Sequence, residues 1–364
     1  MMTYPVVTGA VLIEANGAAL NNAGQAEGLR VENAIVVKQI RIGRFRYPYV
    51  SGQAWRRWWR EVLYADFGWT PSEVTREAKS AYTKGDPITY EEDDLFGYMA
   101  ARKRARGRRR TEEGDETVDG AAGTYRRISP LKNSLLISVL PNVIASDFGH
   151  FSRNLPPDTD IIPFESEHYT TYLQGVFTIS LLDVGRFELG EMRDLSDDIL
   201  QAHAGELIQD ATNSRIYRLP TEKRVERVQQ VIRALARLRG GAHLARNLSD
   251  VTPVAVLVGF VDGGNAPFQR LFGADENNER TVLNLERLAS VLIDHEDRLL
   301  KPDNAKPIVF GYRPTVLANE EEVLRAFTEQ EPFKNCIEIV GTPQQALEKA
   351  AGLVPKAFEL LGGD

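Results

Sequence analysis

The stretch "GRFRYPYVSGQAWRRWWR", from Gly43 to Arg60, contains an extended segment followed by a helix start. Pro48 interrupts the extended segment, and Ser51 then stands where a helix N-cap residue is preferred. Apolar side chains after it recur at helical spacing, namely Trp55, Trp58, Trp59, Val62 and Leu63. The stretch therefore predicts an amphipathic helix from about Gln53 to Phe67.

The elements around this helix define the fold class. Strands are predicted at Val6–Glu14, Ala34–Ile42, Leu135–Leu140, Gly175–Leu182, Pro253–Val261 and Asn335–Val340. Asn16–Gln25 is predicted to be a loop. Further helices are predicted at Glu222–Arg239 and, after a capping box at Thr342, to about Leu361. This order favours an α+β sandwich of the ferredoxin or RNA-recognition-motif type with long insertions.

Two segments interrupt this pattern. Between about residues 70 and 130, the cationic run Arg102–Arg110 precedes a nearly all-acidic run, which predicts an insertion. A turn-rich segment near 142–168 predicts a second protruding element. The predicted division is the first part of the sandwich at 1–69, the insertion at 70–130, the rest of the sandwich at 131–341, and a C-terminal helix at 342–364.

The bulk composition restricts the function. The chain has 364 residues, 43% of them hydrophobic and 26% charged, which is typical of a soluble globular protein. Its net charge of −7 argues against coating DNA by overall charge but leaves room for a local basic patch. One cysteine excludes an intrachain disulfide. No signal peptide or membrane span is evident, so we expect a cytoplasmic protein.

Catalytic motifs are missing from the sequence. The five histidines include no H-x-x-x-H pair, and neither a G-x-S-x-G elbow nor a G-x-x-x-x-G-K-[ST] phosphate loop occurs. Carboxylates are plentiful, but none is grouped with a candidate nucleophile. The sequence thus favours a binding protein over an enzyme, and we predict no catalytic residue, metal or cofactor.

A cationic and aromatic segment is the strongest functional signal. It holds seven basic residues and no acidic one between Lys38 and Arg60. Arginine forks bind phosphates, rings stack on bases, and a helix start attracts anions. The predicted contacts are Lys38, Arg41, Arg44, Arg46, Ser51, Gly52, Gln53, Arg56, Arg57 and Arg60, with Arg126 and Arg127 less specific. In the alternative interpretation, the tryptophans form core and the arginines a solvated helix face.

Several stretches together resemble a known family. They are "LNNAGQAEG", "VVKQIRIGRFRYPYVSGQAWRRWWRE", "EDDLFGYMAA", "RRISPLKNSLLIS", "GGAHLARNLSDVTPVAVLVGF" and "DGG". Over about residues 5–270 the chain resembles the DevR-type CRISPR-associated autoregulators, the backbone subunits of type I Cascade, and most of all the type I-B branch. The resemblance implies an RNA-recognition-like palm with finger and thumb insertions.

The resemblance also implies partners and site residues. Copies of such subunits stack head to tail along a CRISPR guide RNA and present its bases to target DNA, beside large, small and guide-processing subunits. Asn21 and Asn22 match the family's polar loop after the first strand. The helix start matches its phosphate-gripping element, with Lys38 and Arg41 before it. The thumb is placed within 142–168, where the apolar wedge would come from Phe148, Phe151 or Ile162.

Three functions stay open. Related type III subunits cut RNA with an aspartate in the loop between the first strand and first helix, whereas residues 16–33 here contain Glu27 and Glu32 but no aspartate. We therefore expect a non-catalytic subunit, serving antiviral defence or RNA-guided transposon targeting. A metal-dependent endoribonuclease is the alternative. Transcriptional autoregulation is the third, although no helix-turn-helix is evident.

Overall fold

A computed structural model describes residues 4–24, 34–77, 80–102, 106–111, 114–119, 123–151, 153–156 and 159–361. Among these residues, no helix combines the length and the apolar character needed to cross a bilayer.

The regular elements follow the chain in this order. The strands are β1 (Pro5–Ala18), β2 (Asn22–Gly24), β3 (Ala34–Val37), β4 (Gln39–Ile42), β5 (Phe45–Val50), β6 (Thr75–Glu77), β7 (Ser80–Tyr82), β8 (Tyr98–Arg102), β9 (Arg106–Thr111), β10 (Gly114–Asp119), β11 (Gly123–Arg127), β12 (Leu131–Asn133), β13 (Leu136–Ser138), β14 (Ile144–Phe151), β15 (Ile162–Ser180), β16 (Arg186–Glu188), β17 (Ile208–Gln209), β18 (Ile216–Arg218), β19 (Pro253–Asp262), β20 (Phe272–Ala274), β21 (Thr281–Leu283), β22 (Ile308–Tyr312) and β23 (Ile337–Ile339). The α-helices are α1 (Gly52–Phe67), α2 (Glu91–Leu95), α3 (Asp197–Ala202), α4 (Thr221–Leu235), α5 (Leu285–Asp294), α6 (Glu320–Glu329), α7 (Phe333–Cys336) and α8 (Pro343–Glu359).

One large mixed sheet organises the molecule. Its strands lie in the order β23-β22-β19-β1-β15-β13-β5-β4, and β2, β3, β12 and β14 attach beside this path. The central strand β1 is antiparallel to both β15 and β19, whereas β22 and β23 are parallel. The predicted α+β class is confirmed, because the structure has one large mixed sheet and several helices.

Strand β1 separates two hydrophobic cores. Val7, Val11 and Ile13 pack on the side of α1, α4 and α8. Ala10 and Leu12 face the opposite side, toward α5 and α6. Since successive side chains of a strand point to opposite faces, a strand apolar at nearly every position is buried on both. The compact apolar run that predicted β1 thus marks the centre of the sheet.

Helix α1 begins and ends as its sequence predicts. The Ser51 hydroxyl accepts a hydrogen bond from the Ala54 amide at 3.3 Å, and the helix stops at Gly68 in the left-handed conformation. The Trp59 indole donates to the Val231 carbonyl of α4 at 2.8 Å. The buried side chains of α1 are Trp55, Trp58, Trp59, Val62 and Leu63. The interpretation of the tryptophans as core is confirmed.

For the other predicted segments, we compare the predicted type of element and its boundaries with those in the structure. The capping box is confirmed, because the Thr342 hydroxyl accepts from the Gln345 amide at 3.3 Å while the Gln345 side chain accepts from the Thr342 amide at 2.9 Å. The predicted loop 16–25 is wrong in part, since β1 continues to Ala18 and β2 begins at Asn22. The segment 142–168 contains β14 and the start of β15, which pair as an antiparallel hairpin.

The segment from 70 to 130 is only partly separate from the main sheet. Strands β8 and β11 form one two-stranded sheet, and β9 and β10 form another. Helix α2, however, is anchored in the molecule, because Asp93 and Asp94 are buried. The cationic run Arg102–Arg110 lies in part outside the described residues. The proposed division into domains stays a prediction.

A histidine and two carboxylates join α3 to the segment before α2. His203 Nε2 lies 3.1 Å from Asp86 Oδ2, and its Nδ1 lies 2.9 Å from Glu206 Oε1. Lys223 approaches the other Glu206 oxygen at 2.9 Å. Burial lowers the pKa of His203, but the hydrogen bonds and charges of Glu206 and Asp86 outweigh it, so the pKa of His203 is raised. The pKa values of both carboxyl groups are lowered.

These shifts predict a pH-dependent contribution to stability. Because the folded pKa of His203 is raised, its contribution is complete below the unfolded value of about 6.5 and is lost as the pH rises through the folded pKa. The carboxyl contributions are lost as the pH falls below about 4. We expect His203→Gln to lose about 1 kcal/mol of unfolding free energy near pH 5.5, and little above pH 8. Urea unfolding across this range measures the loss, and a loss that grows with pH would contradict the assignment.

Candidate nucleic-acid interface

Three segments distant in sequence meet at the start of α1. The Asn21 side-chain oxygen accepts from the Ser51 amide at 2.9 Å, and the Asn21 carbonyl accepts from the Lys38 amide at 3.0 Å. The Lys38 carbonyl in turn accepts from the Tyr49 amide at 2.9 Å. The polar loop after β1, the junction of β3 and β4, and the helix N-cap are therefore held together, as the predicted site requires.

The first turn of α1 presents backbone donors without a neutralising acid. The amides of Gly52 and Gln53 precede the first intrahelical bond, from Trp55 N–H to the Ser51 carbonyl at 3.1 Å. No acidic residue lies in this turn. The positive end of the helix dipole and free N–H groups are a suitable environment for a phosphate.

Packing also favours glycine at position 52. A Cβ atom there would lie 3.3 Å from both the Asn133 side-chain nitrogen and the Ser134 carbonyl oxygen, tighter than most real contacts. The Asn133 amide donates to the Gly52 carbonyl at 3.3 Å. Glycine thus lets the connection between β12 and β13 approach the helix start closely.

Strands β4 and β5 form a hairpin that carries three exposed arginines. Arg41 and Arg46 lie opposite each other, and the Arg41 Nε donates to the Gly43 carbonyl at 3.0 Å in the turn between the strands. The Arg44 guanidinium lies 5.0 Å from the Phe45 ring centroid. Within the described part of the chain, neither these arginines nor Lys38 has a carboxylate at ion-pair distance. Like charges gathered without counter-ions favour an anionic ligand.

Two of the three arginines on α1 serve the fold instead. The Arg56 guanidinium donates to the carbonyls of Leu131 and Phe96, both at 2.8 Å, and to the side chains of Asn133 and Ser129. Burial, together with the nearby charge of Arg60, lowers the pKa of Arg56 to about 10. Because its donors are used within the protein, we exclude Arg56 from the interface.

Arg60 and Arg57 differ in how accessible their side chains are to a ligand. Arg60 lies 5.1 Å from the Phe96 ring centroid, on which Arg56 also lies, and 3.6 Å from a Glu92 oxygen. Because its side chain is only 29% exposed and lies between the Phe96 ring and Glu92, we exclude Arg60 as well. The Arg57 side chain is 75% exposed, and its partner is Glu61 one turn along the helix at 2.7 Å. Arg57 is therefore the cation of α1 that remains accessible to a ligand.

Arg126 and Arg127 point in opposite directions. Arg127 is buried, and its Nη2 pairs with the Asp94 carboxylate and donates to the Asp183 carbonyl at 2.7 Å. Its Nε and Nη1 donate to the Asp94 and Arg186 carbonyls, both at 3.0 Å. We exclude Arg127 from the interface because it is enclosed by protein partners. Arg126 is exposed and lines a different cavity from the start of α1.

The sequence interpretation missed a loop that reaches the same surface. Asn22 Nδ2 lies 2.6 Å from His243 Nε2, and His243 adopts a left-handed backbone conformation just after Gly240 and Gly241. Burial lowers the pKa of His243, and the charge of Arg246 lowers it further. Asn22 and His243 are 221 positions apart, so no local sequence pattern places this imidazole beside Asn22.

The loop at 240–247 also reaches the β14–β15 hairpin, at a residue close to the turn between its strands. The exposed Arg246 guanidinium lies 5.6 Å from the Phe164 ring centroid and 3.5 Å from His243 Nδ1. A continuous polar surface therefore runs from the start of α1 through Asn21 and Asn22 to Arg246.

The hairpin itself carries exposed apolar side chains. Phe148 is 67% exposed, Phe151 53% and Ile162 47%. Phe151 and Ile162 are direct cross-strand partners. Exposed large apolar groups on a projecting hairpin indicate contact with a ligand or partner.

The two glutamates considered for metal-dependent RNA cleavage lie in a part of the chain that the structure does not describe. Glu27 and Glu32 lie outside the described residues. Among the residues that are described, no three His, Cys, Asp or Glu side chains converge on a possible metal position.

Fold and surface together define a mixed α+β protein with a basic helix start beside an apolar hairpin. Residues 8–279 match the family model described as CRISPR-associated negative auto-regulator DevR/Csa2, so the chain belongs to this family. The resemblance to DevR-type proteins is confirmed, and the type I-B branch stays a prediction. A chain of a "CRISPR RNA-guided surveillance complex" is 12% identical with a TM-score of 0.46, covering 96% of this chain and 98% of that one. A chain of the "CRISPR RNA-guided surveillance complex, pre-nicking" is 11% identical with a TM-score of 0.49, covering 96% and 100%. No curated protein matches significantly.

Proposed function

We propose that the protein is the guide-RNA-binding backbone subunit of a type I CRISPR Cascade surveillance complex, most similar to the type I-B branch. The observation that carries the proposal is the set of cations around the start of α1 that have no carboxylate partner among the described residues. Family membership gives the biological setting. Lys38, Arg41, Arg44 and Arg46 form that set of cations. Arg57 adds an exposed cation that is shared with Glu61 at 2.7 Å, and the amides of Gly52 and Gln53 supply directed donors.

This chemistry holds a polynucleotide by its backbone. Phosphate contacts position a strand but carry no sequence information. Sequence is then read by base pairing between the guide and target DNA, while the protein recognises backbone and shape. An overall charge of −7 is compatible with this role, because the binding surface needs only local positive charge.

The strand order supports an RNA-recognition-like palm. Along the chain, β1 is followed by α1, then β13 and β15, then α4 and β19, and in the sheet these strands lie in the order β19-β1-β15-β13. This is the split β-α-β arrangement of ferredoxin-like folds. We assign the segment 70–130 as the finger and the β14–β15 hairpin as the thumb, with Phe148 and Phe151 as its apolar wedge.

We also propose how copies of the protein assemble and in which compartment of the cell they act. Copies of the chain would stack head to tail along one guide RNA in the cytoplasm, together with large, small and guide-processing subunits, in antiviral defence or transposon targeting. We propose no catalytic role for this subunit, because residues 16–33 contain no aspartate at the place where related type III subunits carry one; a metal-dependent endoribonuclease is the alternative.

Binding of single-stranded RNA as a function of salt tests the proposal. We expect the logarithm of the binding constant to fall linearly with the logarithm of salt concentration, with a slope of about −0.7 per phosphate contact. Lys38→Gln with Arg41→Gln should reduce the magnitude of the slope by about 1.4. Fluorescence anisotropy of a labelled oligouridylate measures it.

The matched control is Lys301→Gln with Arg325→Gln, which changes the net charge equally at two exposed positions of the C-terminal part. An equal change of slope in both double variants would show that net charge alone is responsible. A wild-type protein that binds no RNA would contradict the proposed function itself. If the protein does bind RNA, sequencing of the RNA that co-purifies with the complex would identify the guide.

A further inference from the structure

A second group of cations faces a cavity of about 320 Å³ below the finger segment. Arg126 reaches it from β11, Lys132 from β12 and Arg186 from β16. Within the described residues, none of these three side chains has a carboxylate at ion-pair distance or a side-chain hydrogen bond. Three like charges that converge on one concavity repel each other unless an anion occupies it.

The acidic residues that line the cavity already have partners. The Tyr4 hydroxyl donates to Asp183, and Asp194 lies 3.4 Å from the buried Arg127 guanidinium. Glu188 pairs with Arg193 at 3.3 Å. Asp194 and Glu188 are thus compensated by arginines, whereas Asp183 keeps its negative charge. Three cations against this one carboxylate leave positive charge facing the cavity.

Backbone hydrogen bonds between two separate segments of the chain hold one wall of the cavity in place. The Arg126 amide donates to the Arg193 carbonyl at 3.0 Å, and the Met192 amide donates to the Thr124 carbonyl at 2.8 Å. These two bonds attach β11 to the turn at 190–193, which forms one wall. Ile128 and Met192 are exposed at its mouth and offer apolar contact surface beside the cations.

The cavity is also close to the helix start. Asn133, the neighbour of Lys132, donates to the Gly52 carbonyl. Leu136 lies opposite Val50, the residue before Ser51. Four residues of extended chain separate Lys132 from Leu136, about 13 Å at 3.3 Å per residue. This proximity favours a polynucleotide over an acidic peptide as the ligand.

We propose that this cavity is a second phosphate-binding site, which takes phosphodiester groups of a single-stranded polynucleotide beside the strand held at the start of α1. The inference rests on the proposed function, because it assumes that the protein binds single strands. Arg126, Lys132 and Arg186 supply the charge. Ile128 and Met192 supply a surface on which an adjoining base or ribose can lie.

The test uses the full chain and a fluorescein-labelled oligouridylate. Lys132→Gln with Arg186→Gln should reduce the magnitude of the salt slope by about 1.4 and weaken binding on the order of tenfold near physiological salt. Lys132→Gln with Arg126→Gln should give the same result, which covers the possibility that loss of Arg186 disturbs the fold. Unfolding midpoints check all variants, and Lys301→Gln with Arg325→Gln is the charge control.

Each possible result of these binding measurements either supports or overturns the second phosphate-binding site. Wild-type binding with an unchanged slope in both cavity variants overturns this inference and leaves the helix-start site intact. A wild-type protein that binds no oligouridylate overturns both. Polyglutamate that binds wild type but neither cavity variant, with no change in the RNA slope, would assign the cavity to an acidic protein segment and overturn the phosphate site.

Discussion

Replacing Asp94 by alanine is expected to lower the free energy of unfolding by about 3–5 kcal/mol, the range for breaking a buried ion pair. Asp94 is fully buried and pairs with Arg127, and its Oδ2 accepts from Arg227 at 2.7 Å. It also accepts from the Gly185 amide at 3.0 Å. Without the carboxylate, the Gly185 amide loses its acceptor, and the buried guanidinium groups of Arg127 and Arg227 each lose one carboxylate partner.

This cluster is central because four segments meet in it. Arg227 belongs to α4 and also donates to the Pro87 and Ile88 carbonyls, both at 2.8 Å. Arg127 belongs to β11, Asp94 to α2, and Gly185 to the turn after β15. Loss of Asp94 should therefore loosen the base of the finger segment from the helical face of the sheet.

Guanidinium chloride unfolding measures the effect of Asp94→Ala. The matched control is Asp66→Ala, which removes an aspartate that pairs with Arg239 at 2.7 Å at the surface. The control should lose about 1 kcal/mol or less, as surface ion pairs do. If Asp94→Ala lost no more than this control, the buried cluster would not have the structural role described.

Local signals in the sequence were sufficient for the central helix. Its N-cap and its spacing of tryptophans lie within one stretch, so the pattern alone predicted α1 and its buried face. Strand β1 was predicted for a similar reason, since a continuous apolar run is typical of a strand buried on both faces.

The roles of individual arginines could not be predicted in this way. Arg56 and Arg57 are neighbours of identical type, and only contacts with Phe96 and Leu131 turn one of them inward. Those residues lie 40 and 75 positions away in sequence. Arg127 is separated from its partner Asp94 by 33 positions. Such pairings depend on the tertiary structure and leave no periodic signal.

The protruding element at 142–168 was predicted, but its strands and the position of the loop at 240–247 were not, for different physical reasons. Nearly all of β14 is exposed on both faces, so the alternation that marks a half-buried strand does not occur. His243 reaches Asn22 across 221 positions. Neither a strand exposed on both faces nor a contact of this sequence separation can be inferred from local pattern.

The largest functional effect is expected from reversing charge at the start of α1. Gln53→Glu with Arg57→Glu puts two carboxylates where the helix dipole and a cation favour phosphate. We expect affinity for single-stranded RNA to fall about 100-fold, which corresponds to about 2.7 kcal/mol. Both positions are exposed, so the fold should be retained. Anisotropy titration with a labelled oligouridylate at constant salt measures the loss.

A similar change at the neighbouring position should act on folding instead. In Arg56→Glu, a carboxylate would face the Leu131 and Phe96 carbonyls that now accept from the guanidinium, and the variant should unfold more readily. The charge control is Arg287→Glu with Gln330→Glu, two exposed positions on the C-terminal helices. If the control weakened RNA binding as much as Gln53→Glu with Arg57→Glu, the helix start would have no special role. RNA binding that survived the reversal at Gln53 and Arg57 in a folded protein would lead to the same conclusion.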